Sequence, residues 1–294
     1  MTYFAEAVTR AVEESGLPLV TEFALYNLVT PIAVSGQYAD EKITRPPSTW
    51  NADQLRRLIR TLMKRRVLAP DDDFKAGVWH VVGALKAASA EEAICLVDPF
   101  AYISHLSAMQ RFGLTDRAPE SLHITTPSRA LWTRLRDERM SPLIEERPNW
   151  EVPAMTRIGV APVVRRRPVV IHETKHPATP SAIADSYARI APIGRVFCDM
   201  LDQPDLCGGM PHVLECFERH AETWLAEIVA AVDTFDSAIV KVRAGYILEE
   251  WLELGSDTAA GWKRYAQRGG SRKLDPHQPY GTVFSEKWML ALNV

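Results

Sequence analysis

An α+β chain in two parts is the fold class that the sequence predicts, and three observations predict it. A strongly amphipathic helical stretch at 49–66 is followed at once by two short β-rich runs, 67–68 and 77–82. Beyond residue 83, short strand-like runs and helices mix without strict alternation. A length of 294 residues suits two domains better than one, which puts the domains at 1–83 and 84–294.

Composition narrows the classes. Hydrophobic residues at 47% are enough to bury two ordinary cores. A formal net charge of -3 excludes a chain that is basic throughout, so any nucleic-acid surface has to be local. Cys95, Cys198, Cys207 and Cys216 show no C-x-x-C spacing and no array with histidines. Buried reduced thiols are therefore expected, with no metal and no cofactor. Glu6, Arg10, Glu13 and Glu14 interrupt the first residues, so they do not read as a signal peptide. No apolar run approaches the roughly 18 residues of a membrane span, so no membrane partner and a cytoplasmic location are expected.

In chain order, Phe4, Ala7, Val8, Ala11 and Val12 recur at helical spacing over 1–15, and Gly16 and Pro18 stop that helix. A second helix is expected at 21–29, capped by Thr21 and ended by Pro31. Residues 35–47 are polar and read as a loop. In the helix at 49–66, Asn51 is the expected N-cap, and Leu55, Leu58, Ile59 and Leu62 form the apolar stripe. Asp71, Asp72 and Asp73 lie in the turn between the two strands that follow. Helix, strand, short turn, strand is the order of a winged helix-turn-helix head.

The larger C-terminal part is expected to be mixed α/β. Its sequence suggests a helix or loop at 85–93, a buried strand at 94–97, a helix at 99–112 and a strand at 122–126. Residues 129–139 fit helix or extended chain. Two β-rich runs, 157–163 and 168–172, flank Arg165, Arg166 and Arg167. Helices are expected at 181–200, 211–231, 236–251 and 258–267, with a turn at 204–209 and a final strand at 288–292.

The charge is concentrated in one place. Between residues 45 and 66 stand Arg45, Arg56, Arg57, Arg60, Lys64, Arg65 and Arg66 against the single acid Asp53, a net of +6. Arg56, Arg60 and Lys64 are four apart and line one helix face, opposite the leucine stripe. Such a helix suits a duplex groove. The cations meet phosphates, and Asn51, Gln54 and Arg57 near its start are placed to reach base edges. Lys75 and His80 in the following hairpin would lie along the backbone, although the acids at 71–73 oppose phosphate at the hairpin tip. The competing reading is a solvated charged face. Arg165, Arg166 and Arg167 form a second basic cluster, either an edge-protecting triplet or a further DNA contact, extended by Arg129, Arg134, Arg136 and Arg139.

Three segments then share an order and spacing: Asp98-Pro99-Phe100-Ala101-Tyr102-Ile103-Ser104-His105-Leu106-Ser107-Ala108-Met109 with Gly113-Leu114-Thr115-Asp116, Leu122-His123-Ile124-Thr125-Thr126, and 199–209 followed by Ala244-Gly245-Tyr246-Ile247-Leu248-Glu249. With Lys287-Trp288 and Asn293 they resemble the AbiEi family of antitoxins and transcriptional regulators over residues 50–294. The resemblance implies a winged-helix head and a larger AbiEi-like α/β domain at 84–294. It also implies repression of the protein's own promoter through double-stranded DNA repeats, in an operon that encodes a nucleotidyltransferase-like toxin. The first 48 residues and Arg195-Val196-Phe197 depart from the family pattern.

Other motifs point elsewhere. His172-Glu173-Thr174-Lys175-His176 matches H-E-x-x-H, but zinc hydrolysis needs both histidines on one helix face. Here the motif follows the strand-like Val169-Val170-Ile171 and precedes Pro177. A strand-end turn is the expected reading. Ser104 and Ser107 lack a G-x-S-x-G elbow, His105 reads as a half-buried structural histidine, and Gly208-Gly209 is too short to cradle a phosphate. No catalytic residue is expected. The sequence thus predicts a repressor of its own operon. The alternatives are an interaction protein that neutralises a toxin directly and, least favoured, a zinc hydrolase.

Overall fold

The computed structural model describes residues 2–74, 76–159, 163–254, 257–266 and 272–294 and is a mixed α+β chain. In chain order the first elements are β1 (Thr2–Tyr3), α1 (Phe4–Glu14), β2 (Leu19–Thr21), α2 (Glu22–Ser35), β3 (Gln37–Tyr38) and β4 (Glu41–Thr44). There follow α3 (Ala52–Lys64), β5 (Leu68–Pro70), β6 (Val78–Val81), α4 (Ala90–Val97), β7 (Tyr102–Ile103), α5 (His105–Arg111) and β8 (Leu122–Pro127). The middle of the chain holds α6 (Arg129–Glu146), β9 (Val163–Val164), β10 (Arg167–Thr174), β11 (Ser181–Ala182) and β12 (Arg189–Ile190). The last part is helical: α7 (Ile193–Asp202), α8 (Met210–His220), α9 (Leu225–Thr234), α10 (Ala238–Gly245) and α11 (Asp257–Trp262), then β13 (Phe284–Ser285) and β14 (Leu290–Ala291).

The chain divides into two compact units. The first comprises Met1–Tyr102, Thr126–Lys175 and Ala182–Arg189; the second comprises Ile103–Thr125, His176–Ser181 and Ile190–Val294. The boundary expected after Gly83 lies inside the first unit, which takes in the expected head together with residues from further along the chain.

In the first unit, α1, α2 and α3 bury Val8, Val12, Leu25, Val29, Leu58 and Leu62 in one cluster with Val20 of β2 and Leu68 of β5. Burying each such side chain stabilises the fold by about 1.5–3 kcal/mol. β6 is the centre of an antiparallel sheet, pairing Leu19 with His80 on one side and Leu68 with Val81 on the other. β4 pairs in parallel with β1 and antiparallel with β3.

Several sequence expectations are corrected here. Pro31 does not end α2, which runs to Ser35 and closes on Gly36 at φ 63. Pro31 frees the carbonyl of Asn27, and both residues are exposed, so water can satisfy it while the buried face stays intact. The loop expected at 35–47 contains the β3–β4 hairpin, turned by Ala39 and Asp40 at φ 46 and 63. This turn lacks the usual Asn-Gly signal. Residues 94–97 are helical, because Ser89 and Glu92 form a capping box at the start of α4. The helix expected at 99–112 begins only at His105, after β7. The helix expected at 181–200 is two short strands followed by α7. α6 settles 129–139 as helix, extended to Glu146. Of the β-rich run at 157–163, residues 160–162 lie outside the described residues, as does Gln267 at the end of the last expected helix.

In the first unit the carboxylate of Asp98, fully buried, accepts from Phe100 N and Trp132 Nε1, both at 2.9 Å, from Thr126 Oγ1 at 3.0 Å and from Ile158 N at 3.1 Å. In the second unit α7 carries Phe197 edge-on to Phe217 of α8, ring centres 5.0 Å apart. A β-carbon on Gly245 of α10 would stand 2.0 Å from the Trp288 ring, so only glycine lets the indole close over the helix. The four cysteines are free and buried. Among the described residues, no helix is long and apolar enough to cross a membrane.

Candidate nucleic-acid interface

α3 is built as the sequence suggests. Asn51 Oδ1 accepts from Gln54 N at 3.0 Å, and Gln54 Oε1 accepts from Asn51 N at 2.9 Å, a complete capping box. Leu55, Leu58, Ile59 and Leu62 are buried. At about 100° per residue, Arg56, Arg57, Arg60 and Lys64 fall within an arc of about 100° on the opposite side. All four are exposed, as are Arg45, Arg65 and Arg66. Arg56 pairs with Asp53 at 2.9 Å, both side chains well exposed, an interaction worth little in water.

The end of α3 is unusual. Arg66 N donates to Met63 O at 3.0 Å and Val67 N to Leu62 O at 2.9 Å, which is a Schellman closure. The left-handed position in that motif normally takes glycine, but here it is Arg66 at φ 58. Arg45, Arg165 and Arg166 are also left-handed, at φ 56, 51 and 61. An L side chain in this region costs about 1–2 kcal/mol.

The start of α3 is closed by a segment the sequence reasoning missed. Trp150 stacks on Trp50 with ring centres 6.3 Å apart, and Glu151 N donates to Trp50 O at 2.9 Å. Glu151 Oε2 accepts from Ala52 N at 2.9 Å. Asn51 and Gln54, expected to reach base edges, thus have their carbonyl oxygens committed to the cap, and a carboxylate stands beside them. The later turns of α3 are the open ones.

The second basic cluster is divided in role. Arg165 and Arg166 are the two-residue turn between β9 and β10, and Arg167 opens β10. Arg165 donates through Nη1 to Asp71 Oδ1 at 3.0 Å, through Nη2 to Asp71 Oδ2 at 2.6 Å, and to Asp73 Oδ2, to which its backbone N also donates at 2.9 Å. The bonds from Asp71, first, and Asp73 push the Arg165 pKa further up, so the guanidinium stays charged. Arg167 pairs with Glu91. These two arginines hold the unit together and are not open contacts. Arg166 is exposed and makes no ion pair among the described residues. In α6, Arg134 and Arg136 pair with Glu138 and Asp137. Lys75 lies outside the described residues. A groove of about 560 Å³ beside the β5–β6 hairpin is lined by Asp72, His80, Val82, Arg165 and Arg166 among others.

The tempting motifs are placed as well. His172, Glu173 and Thr174 end strand β10, so alternate residues point to opposite faces and the helical zinc geometry is not built. In the second unit His105 is buried rather than half-buried, at φ 49 at the start of α5. Its Nδ1 lies 2.8 Å from Ser104 Oγ and its Nε2 lies 2.8 Å from Gln203 Oε1, while Thr125 Oγ1 donates to Ser104 Oγ at 2.7 Å. Burial drives the His105 pKa down to about 4, so the ring is neutral. Nε2–H then donates to the Gln203 carbonyl, and Nδ1 accepts from Ser104.

No family model and no curated protein matches the chain. Among solved structures the chain is similar to the RV2827C protein from Mycobacterium tuberculosis, at 12% identity over 98% of this chain and 90% of that chain, with a TM-score of 0.46.

Proposed function

We propose that this protein is a DNA-binding transcriptional repressor, with α1, α2, α3 and the β2/β6/β5 sheet forming a winged helix-turn-helix head. One observation carries the reading: α3 buries four aliphatic side chains on one side, exposes on the other an arc of four cations broken only by Asp53 in its first turn, and runs directly into an antiparallel hairpin. Such a helix docks by its polar face into the major groove. Arg57, Arg60 and Lys64 supply phosphate and base-edge contacts from the open turns of α3, with Arg45, Arg65 and Arg66 at its flanks. The hairpin lies along the neighbouring backbone.

The resemblance to AbiEi regulators supplies the target, repeats in the protein's own promoter, and the setting, an operon with a nucleotidyltransferase-like toxin. The test is an electrophoretic shift and a salt titration with DNA from upstream of the reading frame, against random duplex. Tight binding that falls steeply with salt is expected, with a slope of about −0.9 per phosphate contact. Arg57→Ala/Arg60→Ala/Lys64→Ala should abolish it. Upstream DNA bound no better than random duplex would sink the repressor reading.

A further inference from the structure

We propose that the β9–β10 turn completes the DNA interface, with Arg165 as a positioning residue that clamps the β5–β6 turn and Arg166 as an added phosphate contact. This inference rests on the reading of the head as a DNA-binding module.

A two-residue hairpin turn with both residues left-handed is ordinarily Asn-Gly or Asp-Gly. Here both are arginine, at φ 51 and 61. Their side chains divide the work. Arg165 grips Asp71, whose side chain is 2% exposed, and Asp73, whose side chain is 24% exposed. The grip includes its backbone N–H, so the turn itself is tied to residues 71–73 and not merely the end of a long side chain. Two of the three carboxylates that oppose a phosphate at that hairpin are thereby bound by one guanidinium, which cancels one of their two charges. The third, Asp72, stays exposed and shares the lining of one groove with His80 and the exposed Arg166. That groove also includes Val82, whose N–H donates to Val67 O at 2.8 Å, next to the exposed Arg66 that closes α3. Arg166 and Val82, which bonds to the residue after Arg66, therefore line the same groove. A hairpin kept only for its fold would be better served by glycine or asparagine at its tip.

The experiment is a salt titration of binding to a mixed-sequence duplex and to the upstream duplex, with melting curves as folding controls. Arg166→Ala should weaken binding about threefold to tenfold and reduce the salt slope by about one, with Arg166→Lys close to wild type. Arg165→Met should weaken binding, and Arg165→Met/Asp71→Asn/Asp73→Asn should restore it, because the triple variant removes the carboxylates together with their partner. The triple variant also serves if Arg165→Met alone fails to fold. If Arg166→Ala leaves slope and affinity unchanged while Arg60→Ala/Lys64→Ala loses both, this inference falls and the DNA reading stands. If the wild-type protein shows no salt-dependent binding, both fall.

Discussion

The carboxylate of Glu151 caps the backbone N–H of Ala52 from 99 residues away, at 2.9 Å. It closes an orphan donor at the start of the basic helix and places negative charge at the positive end of the helix dipole. Glu151→Ala should therefore cost about 1 kcal/mol of stability, and Glu151→Gln about half as much, since the amide keeps an acceptor but not the charge. Urea unfolding checks the ranking; equal midpoints for all three proteins would remove Glu151 from the account of α3.

The other end of α3 gives a prediction of opposite signs for two properties. Arg66→Gly places the favoured residue in the left-handed position of the Schellman closure and should raise stability by about 0.5–1 kcal/mol. It also deletes an exposed cation from the proposed interface, so DNA binding should weaken severalfold at low salt. A variant that gained stability and bound DNA unchanged would show that Arg66 lies outside the interface.

What the sequence made legible follows physical range. α3 was readable because its determinants are local: four aliphatic residues at helical spacing, Asn51 with Gln54 three residues on, and cations four apart. The antiparallel strands after it were readable for the same reason. Glu151 on Ala52 and Arg165 on Asp71 and Asp73 were not, because a partner 92 to 99 residues away leaves no periodic trace. Local reading also failed where a weak signal met a stronger cue. Ile94-Cys95-Leu96-Val97 looks like a buried strand, but the Ser89–Glu92 box upstream starts a helix through it. Ala39-Asp40 turns a hairpin without a glycine, and an exposed Pro31 is tolerated inside α2.

In the second unit, Gly245 and Trp288 give a steric prediction. Trp288 is fully buried, and an alanine β-carbon at 245 would lie 2.0 Å from its ring. Glu249, one turn on, meets Lys263 and Lys287 at 3.0 Å each, so the helix has little freedom to withdraw. Gly245→Ala should destabilise by about 3 kcal/mol, at the upper end for overpacking. Trp288→Phe in the same chain should return part of the loss. Thermal melts of the single and double variants decide it, and a Gly245→Ala melt at the wild-type temperature contradicts the close approach.

His105 sets an acid limit on stability. Burial lowers its pKa to about 4 from an ordinary 6.5, with the nearby charges of His123 and Arg195 pushing the same way and Gln203 and Asp205 opposing. The unfolded chain therefore binds a proton that the folded protein refuses between about pH 6.5 and pH 4. Stability from this group is fully present above about pH 6.5 and is lost as pH falls toward about 4, up to about 3 kcal/mol in all. Protonation would also set Nδ1–H against the Ser104 hydroxyl, which must then turn away and give up its donor role in the chain from Thr125. His105→Gln removes the titration, so its urea midpoint should fall less steeply than wild type between pH 7 and pH 5. Parallel pH profiles for the two proteins would mean that His105 already titrates normally in the folded state.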